Sequence, residues 1–319
     1  MSTADVTSTG TGAGSPRRSL EASHPHYGEK VIKGFLMLCA ALSVAVTLAI
    51  IFSLFPPTID FFREVSVVEF LTGTLWAPAF ANASFGVLPI VVGTLMVVVI
   101  SLSVAIPLGL LSAIYLSEYA PSKVRKTIKP MLEVLEGIPT VAIGLFGFYF
   151  LRPFIASITP FLNWNTPFSI GVAGLAVGLL IIPLVASVAD DAMRAVPQSL
   201  RQGAYALGSS RMQVALKVVL PAAISGVVAA IVLGASRAVG ETMVVLIVAG
   251  AGNPNLNFNP LRGSSTMTAS IAGRATGDIG FQTLAYNTIF SVVAMPFTAA
   301  LILNMIAIRF VRKYREVYD

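Results

Sequence analysis

Arg237 and Glu241, in the segment Ser-Arg-Ala-Val-Gly-Glu-Thr, are the ionisable residues that lie deep inside an apolar run of the chain. A charge at the middle of a bilayer costs about 2.5–3.5 kcal/mol on insertion scales, so such residues are functional candidates by default. Four-residue spacing puts the two on one helix face, where they partly neutralise each other, although basic before acidic is the weaker order. If the helix starts near Pro221, Arg237 stands about 24 Å along it at 1.5 Å per residue, in the outer half of the core. A guanidinium there attracts an anion and passes it on, while Glu241 keeps the anion from binding so tightly that passage stalls. The competing reading is a buried ion pair that only fixes helix packing.

Other chemistry is poorly supplied. His24 and His26, the only histidines, sit in a polar N-terminal tail, and the single cysteine, Cys39, allows neither an internal disulfide nor a cysteine metal cluster. No Gly-x-x-x-x-Gly-Lys-Ser/Thr loop is present, so ATP is expected to be hydrolysed elsewhere and energy to come from a partner or an ion gradient. Glu118, Glu133, Glu136, Asp190 and Asp191 flank the apolar runs and are read as solvated or packing residues.

The elements that must position Arg237 are membrane spans. The chain of 319 residues is 55% hydrophobic and 11% charged, with a mean hydropathy of +0.82; a soluble domain carries roughly a quarter charged residues. Six runs are long enough for about 30 Å of hydrocarbon. They are 34–55, closed by Pro56-Pro57; 87–116, with Pro89 and Pro107 and hence tilt or a kink; 132–151, led by an irregular Gly137-Ile138-Pro139; 168–188; 222–250; and 287–308. No cofactor is expected, and the fold class is an all-α polytopic membrane protein of about six helices. The Ser-, Thr- and Gly-rich residues 1–27 cannot bury enough surface to fold and form a disordered tail.

Basic residues orient the chain. Sixteen of the 21 Lys and Arg lie in the tail (Arg17, Arg18, Lys30, Lys33), in loop 2–3 (Lys123, Arg125, Lys126, Lys129), in loop 4–5 (Arg194, Arg201, Arg211, Lys217) and at the C-terminus (Arg309, Arg312, Lys313, Arg315). Opposite loops hold Arg63, Arg152, Arg262 and Arg274. Both termini are therefore expected to be cytoplasmic. The pI near 9.6 reflects topology, and no nucleic-acid partner is expected.

The segment between runs four and five, residues 189–221, is long for a connector and has its own helix punctuation. Pro197 suits the start of a short helix, Gly208 the left-handed residue that closes it, and Ser210 with Gln213 forms a capping box for a second helix running to Val218. The small residues Ala204, Ala206 and Gly208 on this hairpin permit close approach by another protein.

Gly203-Ala204-Tyr205-Ala206-Leu207-Gly208, followed after twelve residues by Pro221 in Val-Val-Leu-Pro, resembles the "EAA" loop of ABC-importer permeases, which docks on the ATPase subunit. Gln202 stands where that family has an acidic residue, so a hydrogen bond would replace a charge. Arg237-Ala-Val-Gly-Glu-Thr-Met resembles the signature of phosphate ABC-transporter permeases of the PstC type. Trp76-Ala-Pro, Phe85-Gly-Val-Leu-Pro-Ile-Val-Val-Gly-Thr-Leu, Pro107-Leu-Gly-Leu, Tyr115-Leu-Ser-Glu-Tyr-Ala-Pro and Glu136-Gly-Ile-Pro-Thr extend the likeness over about residues 58–250. After Gly250 it loosens, with Met267-Thr-Ala-Ser-Ile-Ala familiar but Gly273-Arg274 in place of an acidic residue.

The resemblance implies a type I importer (MetI-like) permease of the bacterial cytoplasmic (inner) membrane, translocating inorganic phosphate. It also implies a PstA-like second permease, an ABC ATPase dimer, and a periplasmic or surface-anchored phosphate-binding protein. Residues 28–86 would then be a first helix with an outer loop, 87–312 the permease domain with coupling loop 189–221, and 313–319 a cytoplasmic end. In that frame Gln202, Gly203, Ala204, Ala206, Gly208 and Pro221 form the ATPase-coupling surface, and Arg237 with Glu241 the translocation pathway. Sulfate or molybdate as cargo and a gradient-driven carrier are the alternatives. An intramembrane enzyme lacks a positioned base or metal.

Overall fold

A computed structural model describes residues 27–78, 80, 82–252, 255–277, 280 and 283–314. The expected disordered tail, with Arg17, Arg18, His24 and His26, lies outside them except for its last residue, as does Arg315. The chain divides into two compact units, residues 1–51 and 52–319.

The first helix, α1, spans Tyr27–Glu64, and its side chains from 29 to 50 are exposed, as hydrocarbon-facing residues are. It does not stop at Pro56-Pro57 as the sequence suggested. Beyond the prolines Phe61 is fully buried against Phe70 and Phe85 in edge-on ring contacts, and that burial outweighs the lost backbone hydrogen bonds. Thr58 Oγ1 donates to the Leu54 carbonyl at 2.7 Å.

The remaining elements are α2 (Val67–Thr72), a small antiparallel pair β1 (Trp76–Ala77) and β2 (Ser84–Phe85), and α3 (Leu88–Ile114), which continues as a π-helical turn at Tyr115–Tyr119. Then come α4 (Ser122–Glu136), α5 (Thr140–Phe146), a second π turn at Gly147–Leu151, α6 (Arg152–Ile158) and α7 (Ile170–Arg194). The hairpin follows as α8 (Gln198–Ala206), α9 (Arg211–Val214), a third π turn at Ala215–Val219 and α10 (Leu220–Ala222). Last are α11 (Ile224–Gly240), α12 (Met243–Val248), α13 (Met267–Ala275) and α14 (Leu284–Tyr314). The β pair is confined to the loop after α2, within the all-α fold that the sequence indicated.

Among the described residues, five helices are long and apolar enough to cross a membrane: Glu29–Glu64, Leu88–Tyr119, Thr140–Ile158, Ile170–Arg194 and Leu284–Lys313. A sixth span arises if Arg211–Ala222 and Ile224–Gly240, bent by 74° at their junction, count as one. Two boundaries differ from expectation. The third span begins at Thr140, because α4 is a separate amphipathic helix with no buried residue. The fifth run is no single helix: it bends between α10 and α11 and breaks again at Glu241, so a straight rise from Pro221 to Arg237 does not apply.

Helix α7 is the centre of the bundle, packed along α3, α11 and α12. Small residues allow this. A Cβ on Gly174 would sit 2.8 Å from Ile100 Cβ, and one on Gly178 would sit 3.0 Å from the Ser101 carbonyl oxygen, so glycine lets the α3 and α7 backbones approach where hydrophobic force is weak. The Ser169 hydroxyl accepts from the Val172 amide and donates to the Pro260 carbonyl, fixing the start of α7 against the loop after α12. Its far end, Asp190–Arg194, meets α4 and the hairpin.

Candidate permease site

Arg237 and Glu241 do not pair. Helix α11 ends at Gly240, and Glu241 is extended, with φ −67° and ψ 125°, so the i, i+4 geometry expected for one continuous helix is absent. Glu241 instead holds the break together. Its Oε1 accepts from the Val244 amide at 3.2 Å, capping α12, and its carbonyl accepts from Thr268 Oγ1 at 2.7 Å. The side chain is buried. The expectation that Glu241 tempers Arg237 from one helix face is therefore corrected: Glu241 positions α12 and α13.

Arg237 is held by Glu136, at the end of α4. Its Nη1 lies 3.4 Å from Glu136 Oε1, and its Nη2 donates to the Glu136 carbonyl at 3.2 Å. The side chains are 26% and 35% exposed. Both contacts are long for a charge-assisted bond. A guanidinium has five N–H donors, and these two contacts leave three of them open among the described residues. Glu136, read from the sequence as solvated or packing, is a third exposed and is also the ion-pair partner of Arg237; the sequence carried no sign of this 101-residue pairing.

The hairpin forms as its punctuation indicated. Pro197 precedes α8, Gly208 has φ +79°, a backbone that side chains rarely adopt, and Ser210 and Gln213 complete a reciprocal capping box at 3.3 and 2.8 Å. The second helix runs past Val218, through the π turn, to Ala222. Gln202, Gly203, Ala206, Gly208 and Pro221 are exposed, with Leu207 at the tip 89% exposed. Ala204 is different. It is half-buried and packs against the chain's own cluster of Met193, Val196, Val214 and Val219, so its small side chain helps to seat the hairpin.

The seat is held by Arg201, which the sequence left as one basic residue among sixteen. Arg201 is buried. It donates to the Val196 and Met193 carbonyls at 2.5 and 2.8 Å and to Glu118 Oε1 at 3.0 Å. Glu118, on the first π turn, is likewise buried and not solvated; its side chain is 5% exposed. Beside it Arg125 donates to Asp190 at 2.7 Å, and Lys129 contacts Asp190 and Asp191, joining α4 to α7. Asp190, fully buried, is therefore a tether. These contacts gather Arg125, Lys129 and Arg201 at one end of the bundle, where Arg194 lines a recess with Glu118 and Arg201.

The opposite end holds Arg152, which donates to the Thr166 carbonyl and lies over Trp164 at 5.6 Å, and a cavity of about 600 Å³ lined by Thr166, Phe168, Gly250 and Arg262. Arg274, where the resemblance has an acidic residue, lies 5.1 Å over the Trp76 ring, and both Arg274 Nε and Trp76 Nε1 reach Ser270 Oγ. Burial pushes the Arg274 guanidinium down to about 10, so it stays charged at neutral pH. Among the described residues no group of three His, Cys, Asp or Glu side chains is placed to hold a metal ion.

Residues 105–315 match the family described as "Binding-protein-dependent transport system inner membrane component". The chain belongs to this family. It is a membrane-embedded permease of the ABC-transporter class, and the family's description implies a binding protein and an energising subunit as partners. The permease is 34% identical over 281 residues to "Probable ABC transporter permease protein YqgH" of Bacillus subtilis, covering 88% of this chain and 89% of that one. It is 31% identical over 277 residues to "Phosphate transport system permease protein PstC 1" of Mycobacterium tuberculosis (77% and 82%). To "Phosphate transport system permease protein PstC" of Haemophilus influenzae it is 32% identical over 258 residues (75% and 80%).

Among solved structures, the permease resembles a chain of a bacterial alginate ABC transporter bound to its periplasmic protein, with TM-score 0.59, 15% identity, and 91% and 99% of the two chains covered. A chain of the inward-facing MetNI methionine transporter gives TM-score 0.54 at 20% identity, covering 70% and 94%. At that identity the likeness is one of fold. It bears out the type I importer architecture.

Proposed function

We propose that this permease is one half of the membrane pore of an ATP-driven importer and that inorganic phosphate passes along Arg237. The observation that carries the reading is Arg237 itself: a guanidinium in the bundle with long contacts and free donors, in a chain about a third identical to permeases described as PstC. A planar fork of donors suits a phosphate oxyanion in two-point contact.

The basic cluster of Arg125, Lys129, Arg194 and Arg201 marks the cytoplasmic end, which puts both termini in the cytoplasm. The exposed hairpin, with Gln202, Gly203, Ala206, Gly208 and Pro221 on its surface, is where a separate ATPase dimer docks and delivers its motion. ATP is hydrolysed there, outside this chain. A PstA-like permease completes the pore, and a phosphate-binding protein delivers substrate to the face with Arg152 and Arg262. In this scheme residues 28–86 add an outer helix and loop, 87–312 the pore, 189–221 the coupling segment and 313–319 a cytoplasmic end.

The test is uptake of radiolabelled phosphate by proteoliposomes holding the complete complex. Uptake is expected to need internal ATP and the binding protein, and to resist excess sulfate or molybdate. Equal competition by either anion would reassign the cargo, and uptake driven by an ion gradient alone would overturn the importer.

A further inference from the structure

Resting on the reading of Arg237 as the pathway cation, we propose that Glu136 is a built-in competitor anion: it occupies Arg237 between transport events and limits how long phosphate stays. Three observations carry this. First, the contact is loose: 3.4 Å to one carboxylate oxygen and 3.2 Å to the carbonyl, against 2.5–3.0 Å for the three bonds of Arg201. Second, both partners keep a quarter to a third of their side-chain surface exposed, so an incoming anion can reach the pair. Third, Glu136 is the last residue of α4, where the helix dipole disfavours a carboxylate. It precedes Gly137, which is exposed and whose amide closes the helix with a tightened bond to the Val134 carbonyl at 3.1 Å.

The consequences are those of two anions sharing one cation. Phosphate offers two oxygens to the guanidinium fork, so it can displace the single long carboxylate contact. Once displaced, the nearby carboxylate repels the bound anion and favours its release. Only the α4 end has to yield, because the preceding turns stay tied to α7 through Arg125 and Lys129. The expelling role that the sequence suggested for Glu241 thus falls to a residue on another helix, while Glu241 is committed to capping α12.

The experiment measures retention of inorganic radiolabelled phosphate by the purified full complex in lipid nanodiscs, without the binding protein, alongside uptake in proteoliposomes. Glu136→Gln should retain phosphate about tenfold more tightly than the native complex, the size expected for removing one charged partner, with slower turnover. Adding Arg237→Gln should abolish that retention, which a purely structural role of Glu136 would not produce. Glu136→Asp, one methylene shorter, should give intermediate retention and serves if the Gln variant fails to assemble. Retention no greater than native in either variant, or retention that survives Arg237→Gln, overturns the proposal. Normal uptake by Arg237→Gln would instead sink the pathway reading itself, so the two failures are distinct.

Discussion

Arg201 and Arg237 each sit on a helix and each borrow a glutamate from a distant segment, yet the bundle treats them differently. Arg201 is enclosed, with a carboxylate and two carbonyls at 3.0 Å or less; Arg237 is a quarter exposed, with two contacts beyond 3.1 Å. The enclosed arginine makes three bonds, one more than Arg237, and is only 8% exposed, so it acts as a bolt between the hairpin, α7 and the turn bearing Glu118. The loosely held one keeps donors open. Between these two cations, short enclosed bonds go with the structural role and long accessible ones with the functional role.

Breaking the bolt is expected to have the largest effect. Arg201→Met leaves the buried Glu118 with only the Ser117 hydroxyl and no cation, and takes the guanidinium donors from the Val196 and Met193 carbonyls, a loss of about 3–5 kcal/mol, a large fraction of a domain's stability. Little monodisperse protein should survive detergent extraction, as seen by size-exclusion chromatography; a stable, transporting Arg201→Met complex would erase the distinction. Arg237→Gln is the reverse case. It should assemble normally yet lose uptake about tenfold or more, the equivalent of one charged hydrogen bond in a transport barrier.

Smaller effects sharpen the picture at the same end of the bundle. Asp190→Asn weakens the tether of Arg125 and Lys129 to α7 while the more exposed Asp191 still holds them. A loss of about 2 kcal/mol is expected, read as a lower melting temperature with uptake per assembled complex little changed. Ser210→Ala removes half of the capping box and costs about 1 kcal/mol. Amide exchange in α9 should quicken about fivefold, and loss of coupling without faster exchange would place the hydroxyl at the ATPase surface instead.

Much of the fold was legible because a bilayer imposes length and hydropathy on each span. The hairpin was legible too, since Pro197, Gly208, Ser210 and Gln213 each act within a few residues of their own position. Where sequence reasoning went astray, the deciding contact was long-range. Pro56-Pro57 read as a helix end until Phe61 was found packed on Phe70 and Phe85. Arg237 and Glu241 read as a pair because spacing implied one helix, and the break at Glu241 depends on Thr268, 27 residues later.

The sequence by itself determined that this chain is membrane-embedded, which residues are costly enough there to matter, and where its hairpin turns, because hydrophobic length, desolvation and capping are local properties. Tertiary structure alone decided which carboxylate meets which cation: Glu136 with Arg237 and Glu118 with Arg201, at separations of 101 and 83 residues. Partner choice among buried charges follows from how helices pack, and no local pattern encodes it.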